Sequence, residues 1–291
     1  MSACRGPPAS AWAAGGRRTA TGPCTTLQVW RRRRAPKVAS RPPRPGGGAG
    51  ARGRRWRRLE GEREGPEAPG PLPEPGFFDR PAVELAPALL GLELVHESPE
   101  GLASGLVVEV EAYAGPEDRA AHSWGGRRTA RTEVMFGPPG HAYIFSVYGM
   151  HWCFNVVAGP GNKPEAVLVR ALEPLRGLDL MRRRRRAPLP AASGPAAERA
   201  LTAGPGRLCQ ALAITGAQYG LPLWRPESPL RLHRGRAPVP AERIATGVRV
   251  GIDYAGEWRL RPWRFWIRDN PYVSGLPTAQ KASAGGRAAR R

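Results

Sequence analysis

The chain has 291 residues and an excess of Lys and Arg over acidic residues that gives it a formal net charge of +21. No window approaches the ~18 apolar residues of a membrane-spanning helix, so we expect no membrane partner. Residues 1–70 carry 16 basic and four acidic residues, whereas residues 71–275 carry 25 basic and 20 acidic residues. The central part is therefore only mildly basic, which suits a polyanionic partner without requiring one.

Arg, Gly, Pro and Ala dominate the first part of the chain, where no aliphatic spacing is visible. Such a composition buries too little apolar surface to offset chain entropy, so we expect residues 1–75 and the basic tail 276–291 to be disordered. The apolar core of a secretory signal is missing, which argues against secretion. The segment is Arg-rich and acid-poor like a transit peptide, but Ser is sparse. A poorly constrained extension upstream of the true start is the simpler interpretation.

The cysteines predict neither a disulfide framework nor a zinc site, because none of the four forms a CxxC pair: Cys4, Cys24, Cys153 and Cys209. Their sparseness suits a reducing compartment. Our default expectation is a bacterial cytoplasmic protein, with an organelle or the nucleus as alternatives. No metal and no cofactor is predicted.

The first predicted elements are a helix, a strand and a hairpin. An i, i+3/i+4 apolar stripe begins after Pro81 and predicts a helix that Gly91 ends. The run LASGLVVEVEAY (102–113) predicts a strand that the following Gly-Pro pair stops. Two β-rich runs within 141–158 predict a hairpin, and its turn carries the large side chains Tyr148 and Met150.

The later segments predict further strands around one helix. Residues 166–174 form an apolar strand, 204–214 form a helix, and 248–269 form two strands. Residues 182–200 open with a run of arginines and show no core pattern, which predicts a mobile loop. This element order predicts an α+β fold for residues 76–275: a single domain with a largely antiparallel curved sheet, flanking helices and a protruding β-hairpin.

Two glutamates two residues apart in the predicted strand present a choice. On a strand Glu109, Glu111 and Tyr113 share one face, which places the carboxylates roughly 7 Å apart. Inverting glycosidases hold an acid and a base at such a distance around a water molecule. Taken alone, however, a solvated strand face is the simpler interpretation. Glu117 and Asp118, after the Gly-Pro turn, are most simply acids at a helix start.

Other polar residues stand in apolar surroundings. Asn155 and Arg170 interrupt apolar strands, and an Arg buried there needs a carboxylate or a phosphate beside it. His122 by itself indicates only a packed or capping histidine. An aromatic hairpin tip such as Tyr148 can be ordinary core, yet a tip can also enter a groove and displace a base. The Arg- and Gly-rich loop 125–140 suits phosphate contacts.

Five long motifs occur in the order VEVEAYAGPEDRAAHSWGGRRTARTEVMF, YGMHWCFNVV, VRALEPLRGLDLMR, GPGRLCQALAI and AGEWRLRPWRFWIR. In this order they resemble the alkyladenine (3-methyladenine) DNA glycosylase family over residues 76–274. The resemblance implies a metal-free, cofactor-free monomer that acts on double-stranded DNA containing damaged purines. In the bacterial cytoplasm we expect such a protein to be associated with the nucleoid through DNA binding. It implies removal of alkylated or deaminated purines in base-excision repair, by hydrolysis that leaves an abasic site.

The resemblance also implies roles for residues that match the family's motifs. Glu111 would activate the water, Arg170 would help to hold it, and the backbone carbonyl of Val250 would make a third contact. Glu109 would then be a supporting acid, and the paired-acid hypothesis is abandoned.

Pocket roles follow in the same way. Tyr113 and His122 would stack on and hydrogen-bond to the flipped purine, and Asn155 would screen purines that carry a 2-amino group. Tyr148 would be the wedge that fills the vacated space in the duplex. Phe145 would form a pocket wall where some family members have tyrosine.

Two points remain open at this level. His151 replaces an aromatic residue that the family pattern leads us to expect beside the hairpin turn. A non-catalytic nucleic-acid-binding protein on the same fold, or an RNA-modifying or tRNA-binding protein, would also suit the basic segments.

A lyase step needs an amine nucleophile, and Lys163 is the only lysine in residues 76–275. We therefore expect simple hydrolysis.

Overall fold

The computed structural model describes residues 68–186, 195–235 and 237–275. Most of the predicted N-terminal extension and the whole basic tail lie outside these ranges. The described chain begins before residue 76, however. The carbonyl of Gly70 accepts a 2.7 Å hydrogen bond from His233 Nδ1, and that of Pro71 accepts one of 2.8 Å from the backbone N–H of Arg234. At residues 70 and 71 these bonds use backbone carbonyls, which is why side-chain composition did not reveal them.

Four α-helices and eight strands form the described part of the chain. The helices are α1 (Ala82–Leu89), α2 (Leu178–Arg185), α3 (Pro195–Thr202) and α4 (Pro205–Leu212). The strands are β1 (Glu93–Ser98), β2 (Gly101–Tyr113), β3 (Ala142–Val147), β4 (His151–Ala158), β5 (Glu165–Arg176), β6 (Leu230–His233), β7 (Ile244–Gly247) and β8 (Arg264–Ile267). Short 3₁₀ helices fill several connections, among them Gly115–Glu117, Trp124–Gly126 and Asp253–Leu260.

All eight strands belong to one curled sheet in the order β3-β4-β5-β2-β1-β6, and every pairing among the described strands is antiparallel. β8 pairs with β2 beside β1, and β7 pairs with β8. The predicted α+β single domain with an antiparallel sheet is confirmed. β3 and β4 are paired in register from Ala142–Val156 to Val147–His151 and are joined through the turn at 148–150.

The core lies between the sheet and the helices. Leu85 and Leu89 of α1 and Leu208 and Leu212 of α4 are fully buried in one apolar cluster with the central strands. Gly91 has a φ of +81°, as expected for a glycine that ends a helix. Within the described ranges, no helix combines the length and apolarity needed to cross a membrane.

Two predicted segments are wrong in part. Residues 182–185 and 195–200 are helical rather than loop, because Leu180 and Met181 give α2 a buried face that the arginine run conceals; residues 187–194 lie outside the described ranges. The segment 248–269 contains one strand, β8, rather than two. Its first residues form an irregular segment whose backbone reaches β2, as described below.

β2 is the strand that carries the two glutamates, and it is flanked on both edges there. Glu111 lies opposite Leu168 of β5 on one side and Arg264 of β8 on the other. In the pairing of β2 with β5, Val108 of β2 and Arg170 of β5 have no partner on the opposite strand. Each of them is the extra residue of a β-bulge. Bulges re-aim side chains and are common beside active sites. Here the bulge aims Arg170 at both glutamates.

Candidate active site

A cavity of about 230 Å³ opens between β2, β3, β4, β5 and the segment after β7. This volume is below the range of drug-sized ligand pockets and suits a single small ring system. Six of the predicted site residues line the cavity: Tyr113, His122, Phe145, Asn155, Arg170 and Val250. The fold therefore brings together residues that are up to 137 positions apart in the sequence.

Glu111 lies directly behind the wall of this cavity and is completely buried. Its Oε1 accepts a 2.7 Å hydrogen bond from the backbone N–H of Val250 and lies 3.2 Å from Arg170 Nη1. Its Oε2 accepts a 3.0 Å hydrogen bond from the Tyr113 hydroxyl. A carboxylate has about four lone-pair positions, so one further donor, such as a water molecule, can bind.

Burial raises the pKa of Glu111, and the negative charge of Glu109 acts in the same direction. Arg170, the Val250 N–H and the Tyr113 hydroxyl lower it, but by less. A carboxylate whose pKa is raised is a stronger base than a carboxylate in water. The surroundings of Glu111 thus suit proton abstraction.

Glu109 is also completely buried, so the solvated strand face expected from the sequence alone is wrong. Its Oε1 accepts hydrogen bonds from Arg170 Nε at 2.9 Å and Arg264 Nε at 2.8 Å. Its Oε2 accepts the backbone N–H of Ser274 at 2.6 Å. Glu109 and Glu111 share one guanidinium, and Glu109 is not among the residues that line the cavity.

Val250 meets Glu111 through its N–H, whereas the prediction concerned its carbonyl. Its neighbour Arg249 is buried and forms an ion pair with Asp118, in which Nη2 lies 2.9 Å from Oδ1. Arg249 Nη1 also donates to the carbonyl of Ala112 at 2.9 Å. The guanidinium packs 4.8 Å from the centre of the Tyr113 ring. Arg249 therefore anchors both the segment that carries Val250 and an aromatic wall of the cavity.

Asp118 consequently differs from its prediction. It follows the 3₁₀ helix Gly115–Glu117 and does not start a helix. Its carboxylate accepts the backbone N–H groups of Ala114 and Ala120 in addition to the Arg249 pair. The aspartate closes the loop between β2 and His122 and joins it to Arg249.

Three rings form a second wall. His122 Nδ1 lies 2.7 Å from the Tyr143 hydroxyl, and the His122 and Phe145 rings meet edge to face with centroids 4.5 Å apart. Burial lowers the pKa of His122, and the charges of Arg131 and Arg127 lower it further. His122 is therefore neutral at physiological pH and offers one N–H donor and one lone pair.

Asn155 and Cys153 line the cavity from β4. Asn155 Nδ2 donates to the carbonyl of Tyr143 at 3.0 Å, which fixes the amide plane. Burial raises the pKa of the Cys153 thiol to about 11. A thiol that stays protonated is a poor nucleophile, so Cys153 contributes to the shape of the cavity.

Tyr148 lies away from the cavity, at the hairpin tip, where 88% of its surface is exposed. Its φ is +52°, a left-handed conformation that is unfavourable for a residue with a large side chain. Met150, on the same turn, is also exposed. Packing does not explain an aromatic ring on a strained backbone when most of its surface is exposed.

A wider groove of about 750 Å³ adjoins the cavity and shares His122 and Tyr254 with it. Three exposed arginines line this groove: Arg119, Arg127 and Arg131. Within the ranges that the structure describes, none of the three forms a salt bridge. The same ranges contain no group of three or more His, Cys, Asp or Glu residues that could hold a metal ion.

Residues 76–271 match the family model of methylpurine-DNA glycosylase. The chain belongs to this family. A Bacillus licheniformis protein named "Putative 3-methyladenine DNA glycosylase" is 50% identical over 198 residues, which cover 68% of this chain and 94% of that protein. Proteins of the same name from Bacillus cereus (strain G9842) and Bacillus anthracis are 46% and 45% identical over 201 residues, 69% of this chain and 97% of each of them. Membership supports a DNA glycosylase of base-excision repair with DNA as its substrate.

Sequence reasoning missed several residues of this site. Arg249 stands between two valines, and the signal that pointed to Arg170, an arginine within an apolar run, could have indicated it. Tyr143 alternates with Phe145 on β3 and so faces the same side. Asp118 carried no signal, because an acid after a Gly-Pro turn is common.

Proposed function

We propose that this methylpurine-DNA glycosylase family member flips damaged purines, alkylated or deaminated, out of double-stranded DNA. In this proposal it then hydrolyses the N-glycosidic bond with a water molecule activated by Glu111. The observation that carries the proposal is the ionisable carboxylate held by Tyr113, Arg170 and Val250, three residues that also line a cavity of the size of one base.

The chemistry follows from the charges. As the glycosidic bond breaks, its electron pair leaves with the base, and positive charge develops on the sugar. A buried carboxylate stabilises that charge. Water bound beside Glu111 and Arg170 attacks the anomeric carbon and transfers a proton to Glu111, which leaves a hydroxyl group on the sugar and a free base. An alkylated purine that is already cationic departs as a neutral molecule and needs no protonation, whereas a neutral deaminated purine departs as an anion that takes up a proton from water.

Recognition of the base rests on the cavity walls. The rings of Tyr113, His122 and Phe145 offer stacking surfaces, and neutral His122 and Asn155 offer hydrogen bonds. Phe145 retains the stacking face that a tyrosine would have but has no hydroxyl. Damaged bases pair and stack poorly, so extruding them from the duplex requires less free energy.

DNA would lie across the hairpin tip and the arginine groove. In this proposal Tyr148 enters the space that the flipped nucleotide vacates, as apolar side chains of DNA-bending proteins enter between base steps. The exposed Arg119, Arg127 and Arg131 supply positive charge beside the cavity for the phosphates that flank the lesion.

Simple hydrolysis without strand cleavage completes the proposal. Lys163 does not line the cavity, and its Nζ lies 2.6 Å from Glu165 Oε1. Its hydrogen bond to Glu165 raises the pKa of Lys163, which keeps the amine protonated. A protonated amine cannot form a Schiff base with the sugar.

The test measures free 3-methyladenine and 7-methylguanine released from alkylated duplex DNA. We expect release by the wild-type protein and none by Glu111→Gln, which keeps the shape of the side chain but cannot accept the proton. Binding of Glu111→Gln to the same DNA should be nearly unchanged. Release that persists in this variant would refute the catalytic role of Glu111.

Two other outcomes would favour other functions. Tight DNA binding by the wild-type protein with no release from any single-lesion duplex would indicate a non-catalytic binding protein. Competition by tRNA that exceeds competition by duplex DNA would indicate an RNA-directed protein. We also propose that the protein is a monomer, which gel filtration with light scattering tests.

A further inference from the structure

Three hydrogen bonds from the protein hold the carboxylate of Glu109. Its carboxylate accepts from Arg170, Arg264 and the backbone of Ser274, at 2.9, 2.8 and 2.6 Å. It is completely buried and does not line the cavity. Glu109 therefore contacts the cavity only through its partners, and its negative charge also raises the pKa of Glu111 directly.

Arg170 is the partner that reaches the cavity. Glu109 holds its Nε, and the Nη1 of the same guanidinium lies 3.2 Å from Glu111 Oε1. A guanidinium is planar and rigid, so fixing Nε fixes the directions of the two terminal nitrogens. Because Arg170 is an extra residue in a bulge, the strand pairing alone does not dictate where its side chain points.

The C-terminal end of the described chain locks this arrangement. Ser274 donates its N–H to Glu109 Oε2, and its carbonyl accepts a 2.7 Å hydrogen bond from Arg264 Nη2. Val273, which precedes it, is buried in the apolar cluster that covers Val108 of β2. The segment thus covers the glutamate.

Charged and polar groups from the neighbouring elements surround Glu111. β2 contributes Glu109 and the Tyr113 hydroxyl, β5 contributes Arg170, and the irregular segment contributes the Val250 N–H. Arg264 of β8 pairs with Glu109, and Arg249 packs on the Tyr113 ring. Glu109 shares the positive charge of Arg170 with Glu111. A cation divided between two carboxylates neutralises each of them only in part.

We propose that Glu109, held by Arg264 and the Ser274 backbone, is a positioning residue that fixes Arg170 beside the water and prevents Arg170 from neutralising Glu111. This inference rests on the proposed function in taking Glu111 as the base. It assigns Glu109, Arg264 and Ser274 an indirect part in the reaction, in which they position Arg170 without contacting the substrate.

The test follows the titration of Glu111 directly, through its carboxylate infrared band, assigned by difference from Glu111→Gln. Glu109→Gln keeps an acceptor oxygen for the two arginines but removes the charge, so more of the charge of Arg170 acts on Glu111. We expect the titration of Glu111 to move to lower pH by on the order of one unit. The acid limb of the single-turnover rate of base release should move in the same direction.

A second variant should move the same titration in the opposite direction. Arg264→Gln leaves Arg170 as the only cation on Glu109, which draws the guanidinium away from Glu111. The titration of Glu111 should then move to higher pH. This variant also provides the test if Glu109→Gln does not fold.

Glu93→Gln is the matched control. Glu93 is a buried acid that does not line the cavity; its carboxylate pairs with Arg176 and accepts a 2.6 Å hydrogen bond from the Ser104 hydroxyl. It should lower stability without moving the titration of Glu111. If Glu109→Gln and Arg264→Gln both leave that titration at its wild-type position, the inference is wrong, even if both lower stability. Absence of base release by the wild-type protein would instead count against the proposed function, and the titration would still decide the role of Glu109.

Discussion

Asp118 and Arg249 form an ion pair in which neither side chain is exposed to solvent, although 131 positions separate them in the sequence. The residue after Arg249 donates its N–H to Glu111, and the loop after Asp118 leads to His122. One buried pair therefore joins the segment that holds the carboxylate to the loop that forms a wall of the cavity.

Asp118→Asn should be among the most damaging substitutions in the protein. It leaves the buried Arg249 charge without a counter-ion, a change that typically lowers the free energy of unfolding by about 3–5 kcal/mol. Denaturant unfolding measures the loss. Asp179→Asn is the control, since Asp179 pairs with Arg182 on the surface, where 84% of the aspartate side chain is exposed. It should change stability by no more than about 1 kcal/mol. Equal effects of the two variants would contradict the importance of the buried pair.

Glu111→Gln should be more stable than the wild-type protein at neutral pH. The pKa of Glu111 is raised in the folded state, mainly by burial, so folding favours the protonated form. The folded wild-type protein then binds more protons than the unfolded chain between the ordinary and the raised pKa, and its stability falls as pH rises through that window. Unfolding free energies measured from pH 4 to 8 should show the advantage of the variant growing with pH. An advantage that is independent of pH would contradict the raised pKa.

Tyr148→Gly should slow base excision without lowering the stability of the fold. Glycine adopts the φ of +52° without strain, so the free energy of unfolding should stay the same or rise by up to about 1 kcal/mol. Loss of the wedge should slow single-turnover excision roughly tenfold, in line with the ~1–3 kcal/mol that base–aromatic stacking contributes. Leu260→Ser, which removes an exposed apolar side chain elsewhere, is the control. Unchanged excision by Tyr148→Gly from a well-paired lesion would rule out the wedge.

Lys163→Ala should leave the product unchanged. Because Lys163 is bound to Glu165 outside the cavity, both the wild-type protein and the variant should leave an intact abasic strand. Denaturing gels of lesion-containing DNA, run with and without alkali, measure this. Strand cleavage without alkali that disappears in Lys163→Ala would show that a lyase step exists.

Removal of residues 1–67 should flatten the salt dependence of DNA binding while the preference among lesions stays the same. This segment carries 16 basic and four acidic residues. In a plot of the logarithm of the binding constant against the logarithm of the salt concentration, each phosphate contact adds about −0.9 to the slope. Ending the deletion at residue 67 keeps Gly70, which accepts a hydrogen bond from His233. An unchanged slope would show that the segment makes no phosphate contacts.

Local patterns of apolar residues in the sequence predict much of the fold. The stripe before Gly91 predicts α1, and the apolar runs at 102–113, 141–158 and 166–174 predict β2, the β3–β4 pair and β5, because helix and strand periods differ. The long motifs identify the family. Arg170 and Asn155 stand out because a polar residue in an apolar strand needs a partner, but the sequence does not name that partner.

The partners are decided by the tertiary structure. Val250 meets Glu111 across 139 positions, and Ser274 meets Glu109 across 165 positions. Val250 lies in a segment that was predicted as strand and is irregular in the fold, and Ser274 lies beyond the last predicted strand, where no element was predicted. Periodicity reports which face of an element is buried. It does not report the register of the sheet, the two offset bulges at Val108 and Arg170, or the path of a loop, and these set which buried charges neutralise one another.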